Sequence, residues 1–354
     1  MRIMNESPEG ITRGMDNVPM NAWYVVAGVE EIGADLLSRR VCDIPLVLYR
    51  KADGDPVALF DRCPHRWMPL SLGNRLGDEI QCRYHGAQFA ASGQCTLIPS
   101  QERLPPGLGV RRFPLVDRPP FTWIWMGPEE AADRALIPDP GRVRSDYVQY
   151  FNFCYPIEAD HLLMLENLMD TSHPTFLHPG SFDDGQLAGA PMRIETGPNL
   201  VRLIRDVGVH VPGEGTTRFF ELDPGRPVRQ TTITETFAPA LNVIVYRFDY
   251  PDEPERPMKD FVVLAPITPS SPRSCYHFVA SCFSWPVGFT REQVTIGTLE
   301  IIKDDKLALE AVEARRDEAL PGEKEFHFRA DTASLHLRRM IQEMARTERL
   351  QPVD

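Results

Sequence analysis

The sequence has no run of about eighteen apolar residues, so no membrane-crossing helix is expected from it. Basic charge is scarce: 38 Lys and Arg face 50 Asp and Glu, a net charge of -12 with histidine neutral. That deficit argues against nucleic acid and anionic membranes as partners, since both select basic patches. It suits a basic redox protein better. The opening MRIMNESPEG lacks the apolar core of a secretory signal, and the expected location is the cytoplasm. Cysteine is sparse and odd in number, seven in 354 residues. With no disulfide rhythm, Cys42, Cys95, Cys154, Cys275 and Cys282 are expected as reduced thiols. No glycine fingerprint of a dinucleotide-binding turn follows a strand-like run, so no nicotinamide or flavin site is expected on this chain. Internal repeats and low-complexity tracts are missing as well.

The two remaining cysteines belong to Cys63-Pro64-His65-Arg66 and Cys82-Arg83-Tyr84-His85, each of which pairs one thiol with one imidazole. A two-iron, two-sulfur cluster in which two imidazoles replace two thiolates on one iron needs this ligand set, and the exchange raises its reduction potential. Structural zinc also takes two Cys and two His, but zinc fingers usually pair Cys with Cys and His with His. The plainest alternative is buried thiols and satisfied histidines in a strand-rich core. Matched mixed pairs favour the cluster. Pro64 stiffens the first loop, while Gly86 and Gly93 permit turns beside the second.

Length allows about two domains. Residues 1–20 are polar and interrupted by Gly and Pro, and are expected as a flexible tail. From 21 to about 140, short β-prone runs such as Pro45–Tyr49, Val57–Phe60 and Phe121–Trp125 alternate with turn residues, as in an all-β domain. Residues 127–148 have the composition of a connector. The remainder, 141–354, opens with a helical stretch at Ile157–Met169, continues in strands near 200–207, 230–237, 241–249, 260–267 and 275–283, and closes with helices near 290–318 and 331–349. The expected class is α+β, an all-β domain followed by an antiparallel sheet flanked by helices.

A second metal site is expected in that half. Within ENLMDTSHPTFLH, His173 and His178 flank a Pro-broken turn that lets the imidazoles converge, although such a pair alone is more often structural than ligating. One carboxylate completes a two-His, one-carboxylate iron site with open positions. In LEIIKDDKLALEAVEARR, Asp305 continues the apolar row Leu299, Ile302, Leu309, Val312, whereas Asp304 falls with Glu300 and Ala308. A carboxylate on a buried face is costly without a metal or cation, so Asp305 is the expected ligand and Asp304 a solvated charge.

The wording CPHRWMPLSLG and CRYHGAQFAASGQC closely resembles the N-terminal domain of Rieske non-heme iron oxygenases, and N-L-M-D-x-x-H-x-x-x-x-H with a late D-K-x-x-x-E helix resembles their catalytic domain. The likeness covers most of residues 21–345 and is nearest to the vanillate and dicamba O-demethylase branch, through N-A-W-Y-V, NLMD and R-A-D-T-A-S-L-H-L-R-R. It implies a Rieske 2Fe-2S cluster with one iron on Cys63 and Cys82 and the other on His65 and His85, and a mononuclear Fe(II) on His173, His178 and Asp305. It implies Asn167 as a weak iron ligand and Asp170 as a bridge from His173 to a cluster histidine, a helix-end cap being the alternative for Asp170. A head-to-tail homotrimer is implied, with a separate reductase or ferredoxin bringing electrons from NAD(P)H. The implied activity is O2-dependent hydroxylation or O/N-demethylation of a small aromatic substrate. A ring-hydroxylating dioxygenase is the second reading and an electron-transfer or metal-binding module the third. The substrate pocket is expected from the loop 182–190, from Asn242, Val245, Arg247, His277 and Phe283, and from Ile296. Arg247 or His277 would hold the carboxylate of an aromatic acid, or else pair with a nearby Asp or Glu. At Ile296 the dicamba enzyme's pattern has a polar-tipped aromatic, so its substrate is not carried over.

Overall fold

A computed structural model describes residues 14–178, 185–320 and 322–350. The chain divides into two compact units: one holds the residues up to Ile137 with Thr268–Pro272 and the segment from Ala345, the other Pro138–Ile267 and Arg273–Met344.

The first unit is built from short strands: β1 (Trp23–Gly28), β2 (Leu37–Val41), β3 (Ile44–Arg50), β4 (Pro56–Phe60), β5 (Asn74–Leu76), β6 (Glu79–Gln81), β7 (Gln88–Phe89), β8 (Cys95–Leu97), β9 (Arg112–Phe113), β10 (Leu115–Arg118) and β11 (Phe121–Trp125). They form three sheets, ordered β1-β11-β10, β2-β3-β4-β9 and β5-β6-β7-β8. The side chains of Val47, Tyr49, Leu59, Ile80 and Phe89 pack with Cys63 and Cys82 in one core cluster. Full burial of each such apolar side chain stabilises by about 1.5–3 kcal/mol, which anchors the two ligand loops from below. Residues 14–20 depart from the expected tail: Met15 and Val18 are buried, and the Met20 amide donates to Oε2 of Glu348 at 2.7 Å. Residues 1–13 of that tail lie outside the described residues.

The second unit contains β12 (Val148–Ile157), α1 (His161–Met169), α2 (Pro174–Leu177), β13 (Met192–Gly197), β14 (Leu200–His210), α3 (Glu214–Phe219), β15 (Val228–Phe237), β16 (Leu241–Asp249), most of β17 (Lys259–Ser271), β18 (Ser274–Phe283), α4 (Arg291–Arg315) and most of α5 (Thr332–Leu350), the residues of β17 from Thr268 and of α5 from Ala345 counting with the first. Its seven-stranded antiparallel sheet has the order β12-β18-β17-β16-β15-β14-β13. Apolar residues of α1, among them Leu162, Met164 and Leu165, share a core with Val201 and Ile267 of the sheet and with Leu337 and Ile341 of α5. A bidentate ion pair between Glu166 and Arg338 ties the same two helices.

Two expectations change. Ile157 begins no helix but ends the edge strand β12, opposite Cys275, where Pro156 is tolerated because an edge strand has a side without ladder partners. The helix starts four residues later, once the Asp160 carboxylate accepts the Leu162 amide at 3.0 Å as its N-cap. On α4, Val312 is exposed, and the buried row runs Val294, Ile302, Asp305, Leu309, Glu313. Glu313 can sit there because Arg273 and Arg316 pair with it at 2.7 and 3.1 Å.

Candidate metal centres and cavity

The two Cys-His loops of the first unit share one backbone pattern. The Cys63 carbonyl accepts the Trp67 amide at 2.9 Å while the Cys63 amide donates to Met68; the Cys82 carbonyl accepts the Gly86 amide at 2.9 Å while the Cys82 amide donates to Ala87. In each loop the fourth residue after Cys has positive φ, 61° at Trp67 and 75° at Gly86. A Cβ at Gly86 would also stand 2.9 Å from Cγ of Pro99, so glycine is needed there for space as well as for conformation. The loops bury their thiols and expose their imidazoles: Cys63 and Cys82 are 2% exposed, whereas His65 and His85 are open to solvent. The imidazole Nδ1 atoms face each other at 3.2 Å. Burial, and secondarily the neighbouring Cys82 thiol, push the Cys63 thiol up to about 11, so thiolates here call for a metal to offset their charge.

In the second unit, His173 is the residue before α2 and His178 the residue after it, with Pro174 as the first helical residue. This four-residue turn aims both rings at α4, where Asp305 is buried. Nε2 of His173 lies 3.4 Å and Nε2 of His178 lies 3.2 Å from Oδ1 of Asp305. Adjacent ligands about 2.1 Å from one octahedral metal stand about 3 Å apart, so the three atoms fit a shared ion. Unmet buried polar atoms point the same way: Nε2 of His178 and Oδ1 of Asn167 have no hydrogen-bond partner among the described residues. Burial holds the His173 imidazole below its ordinary range despite Asp305 and Asp170. Burial also depresses His178, but the nearby carboxylates of Asp305 and Asp304 outweigh it and raise that ring.

The surrounding residues divide by role. Asn167 donates from Nδ2 to Oδ1 of Asp305 at 3.0 Å. Asp170 ends α1, accepts the Ser172 amide and hydroxyl at 2.7 and 2.6 Å, and keeps Oδ2 3.9 Å from Nδ1 of His173. Asp304 differs from its expected place among solvated charges: although half exposed, its Oδ2 is 3.4 Å from Nδ1 of His178. Helical phase marks the buried face, but it does not describe how far a neighbouring carboxylate reaches. A carboxylate on the far nitrogen of a metal-binding histidine orients the ring and fixes its tautomer.

The triad opens on a cavity of about 760 Å³ over the sheet, lined by alternate residues of β15 to β18 and by α3 and α4. Phe219, Tyr246, Phe261 and Phe289 supply aromatic walls. Of the expected substrate residues, His277 lines this cavity. Arg247 does not; its register neighbour is Asp260, and the guanidinium is engaged bidentately there at 2.7 and 2.8 Å. Asn242 is held by Thr234 and Thr236 within the sheet, and Ile296 is 53% exposed on α4, where Gln293 and Gly297 face the cavity instead. Val245 and Phe283 are core residues outside the lining. Residues 182–184 of the expected loop lie outside the described residues, and Leu187 beyond them reaches the cavity.

A two-loop Cys-His pocket followed by a two-His, one-carboxylate centre over a sheet-floored cavity defines the Rieske iron oxygenase class. Residues 22–114 match the Rieske 2Fe-2S domain, and residues 157–347 match the vanillate O-demethylase oxygenase C-terminal domain. The dicamba O-demethylase oxygenase component of Stenotrophomonas maltophilia is 30% identical over 310 residues, 84% of this chain and 88% of its own. The vanillate O-demethylase oxygenase subunit of Pseudomonas sp. strain HR199 is 29% identical over 93% of this chain and 96% of its own. The fold superposes on dicamba monooxygenase bound to 3,6 dichlorosalicylic acid with a TM-score of 0.86 at 28% identity, covering 94% of this chain and 99% of that one. The chain belongs to the vanillate O-demethylase oxygenase family, and is an oxygenase component of a multicomponent Rieske system.

Proposed function

We propose that the chain hydroxylates a carbon of a small aromatic substrate, and that where this carbon is an O-methyl or N-methyl group the products are the demethylated compound and formaldehyde. The observation that carries this reading is the convergence of His173, His178 and Asp305 at an aromatic-walled cavity. The O-demethylase names of two relatives favour the dealkylating branch over ring dihydroxylation.

In this reading Cys63, Cys82, His65 and His85 hold a 2Fe-2S cluster, and His173, His178 and Asp305 hold Fe(II). When bound, the two groups supply stored single electrons and a centre for oxygen activation. Asp304 orients His178 through Nδ1, and Asn167 fixes the Asp305 carboxylate. Burial of His178 and Asp305 keeps bulk water from the reacting atoms, while the aromatic walls orient the substrate ring. In a head-to-tail homotrimer, Asp170 joins His173 to His85 of the partner subunit, a role for a carboxylate that accepts imidazole N-H bonds on both oxygens. Electrons come from NAD(P)H through a flavin on a separate reductase, with or without a ferredoxin. The cytoplasm suits the seven cysteines, none of which is in a disulfide. No helix among the described residues is long and apolar enough to cross a membrane.

The test uses iron-reconstituted protein, a surrogate reductase and labelled dioxygen, offered methylated and unmethylated aromatics. One labelled oxygen in the product, or loss of a methyl with formaldehyde, is expected. Two labelled oxygens on the ring would overturn this reading in favour of a dioxygenase, and no label would overturn oxygenation.

A further inference from the structure

The floor of the cavity holds two polar residues that the protein itself leaves unsatisfied. His277 on β18 is 3% exposed, and neither ring nitrogen has a hydrogen-bond partner among the described residues. Thr232 on β15 is 1% exposed, and its hydroxyl is likewise unpartnered. By contrast Thr234, on the same strand and face, gives its hydroxyl to the Leu168 carbonyl at 3.0 Å. Leaving a buried polar atom unpaired is costly, so such a residue lining a cavity marks where a ligand's polar group goes.

Their chemistry narrows the ligand. A neutral imidazole presents one N-H donor and one lone-pair acceptor together, and a hydroxyl also does both. Burial keeps His277 neutral, pulling it down to about 4 with only partial opposition from Asp305. A carboxylate ligand can only accept, so it would leave the acceptor nitrogen of His277 unmet. Charge argues the same way. Asp170, Glu214, Glu300, Asp304 and Asp305 line the cavity against one guanidinium, the exposed Arg218, and a divalent metal on the triad still leaves the lining net negative. The other cation expected to take a substrate acid, Arg247, is spent on Asp260.

The sheet adds a dimension. β18 and β15 are separated by β17 and β16, and Thr232 is level with Tyr246, Phe261 and Phe283, six residues along β18 from His277, so the two polar residues stand more than about 20 Å apart and belong to different ends of the floor. Between them the cavity-facing residues are Ile244, Tyr246, Phe261 and Val263. An aromatic ring lies on this apolar part of the floor, and its polar substituent reaches His277.

Resting on the oxygenase reading above, we propose that the cavity selects an uncharged aromatic substrate anchored at His277 by a group that both donates and accepts, such as an amide or phenol. The test measures anaerobic binding of methoxybenzamide and of methoxybenzoate with the same ring pattern to the iron-loaded holoprotein by calorimetry. The amide should bind at least about tenfold tighter than the acid. His277→Phe should erase that preference, and His277→Gln should restore most of it. Tighter binding of the acid, binding of neither, or an unaltered preference in His277→Phe would each overturn the inference. Oxygen plays no part in this measurement, so a selectively bound amide that takes up no oxygen would refute the oxygenase reading and leave the inference standing.

Discussion

The two proposed metal centres solve the same problem, gathering four or three ligands from one chain, in opposite ways. The Cys-His centre draws its ligands from two short loops with the same hydrogen-bond pattern, sinks its thiols and leaves its imidazoles in solvent. The His-His-Asp centre draws on a Pro-broken turn and on a helix more than a hundred residues later, and buries His178 and Asp305. An exposed edge suits a centre that exchanges electrons with another protein, whereas a buried one suits a centre that must keep water from a reacting substrate. The two are also carried by different compact units, so either should be lost while the other persists.

The largest effects should come from first ligands. Asp305→Ala is expected to lower turnover to below about 1% and remove one iron per chain, while the visible absorption of the cluster persists. Cys63→Ser should do the reverse, bleaching the protein while the single iron stays. Iron and acid-labile sulfide assays on both variants decide this; simultaneous loss of both metals in either variant would break the comparison. Next comes Asp170→Asn, expected to keep both metals and slow single turnover of the pre-reduced protein by about ten- to a hundredfold, because the amide cannot accept at both positions. Normal cluster oxidation with substrate and oxygen would reduce Asp170 to a helix-end residue. Asp304→Ala should weaken iron binding about tenfold through His178, a smaller loss that an iron titration resolves.

The smallest effect concerns stability alone. Burial raises the Asp160 carboxyl, but the bond and charge of His161 prevail and bring it to about 2 from the ordinary 3.8. A depressed carboxyl contributes stability that is complete above its unfolded value and lost as pH falls through its folded one. Asp160→Ala should therefore cost about 1–2 kcal/mol near neutrality, and this deficit should narrow as pH drops from about 4 toward 2. Urea denaturation across that range measures it; a deficit that does not change with pH would leave only the capping hydrogen bond.

Legibility followed the range of the interactions. The loop ligands fall within a few residues of one another, so their spacing was readable from the chain. Asp305 was readable because helical phase marks a buried carboxylate as costly. The part played by Arg247 depended on strand register, which brings Asp260 directly opposite it across β16 and β17, and no local pattern carries that information. Ile296 sat one position away from the cavity-facing residue Gly297, a shift of about 100° around the helix. β12 and β13 escaped notice because Pro156 and several charged residues interrupt their alternation, and pairing within the sheet overrides that local signal.

The sheet beneath the cavity also separates what can vary from what cannot. Each strand from β15 to β18 turns every second residue toward the substrate, while all three proposed iron ligands sit on or beside helices. A change at Thr232, Ile244, Tyr246 or Val263 rewrites the shape offered to a ligand without touching an iron-ligand position. Reactivity and selectivity are thus inherited on different parts of the chain, and a lineage can acquire new substrates by small steps along the strands while its helices stay as they are.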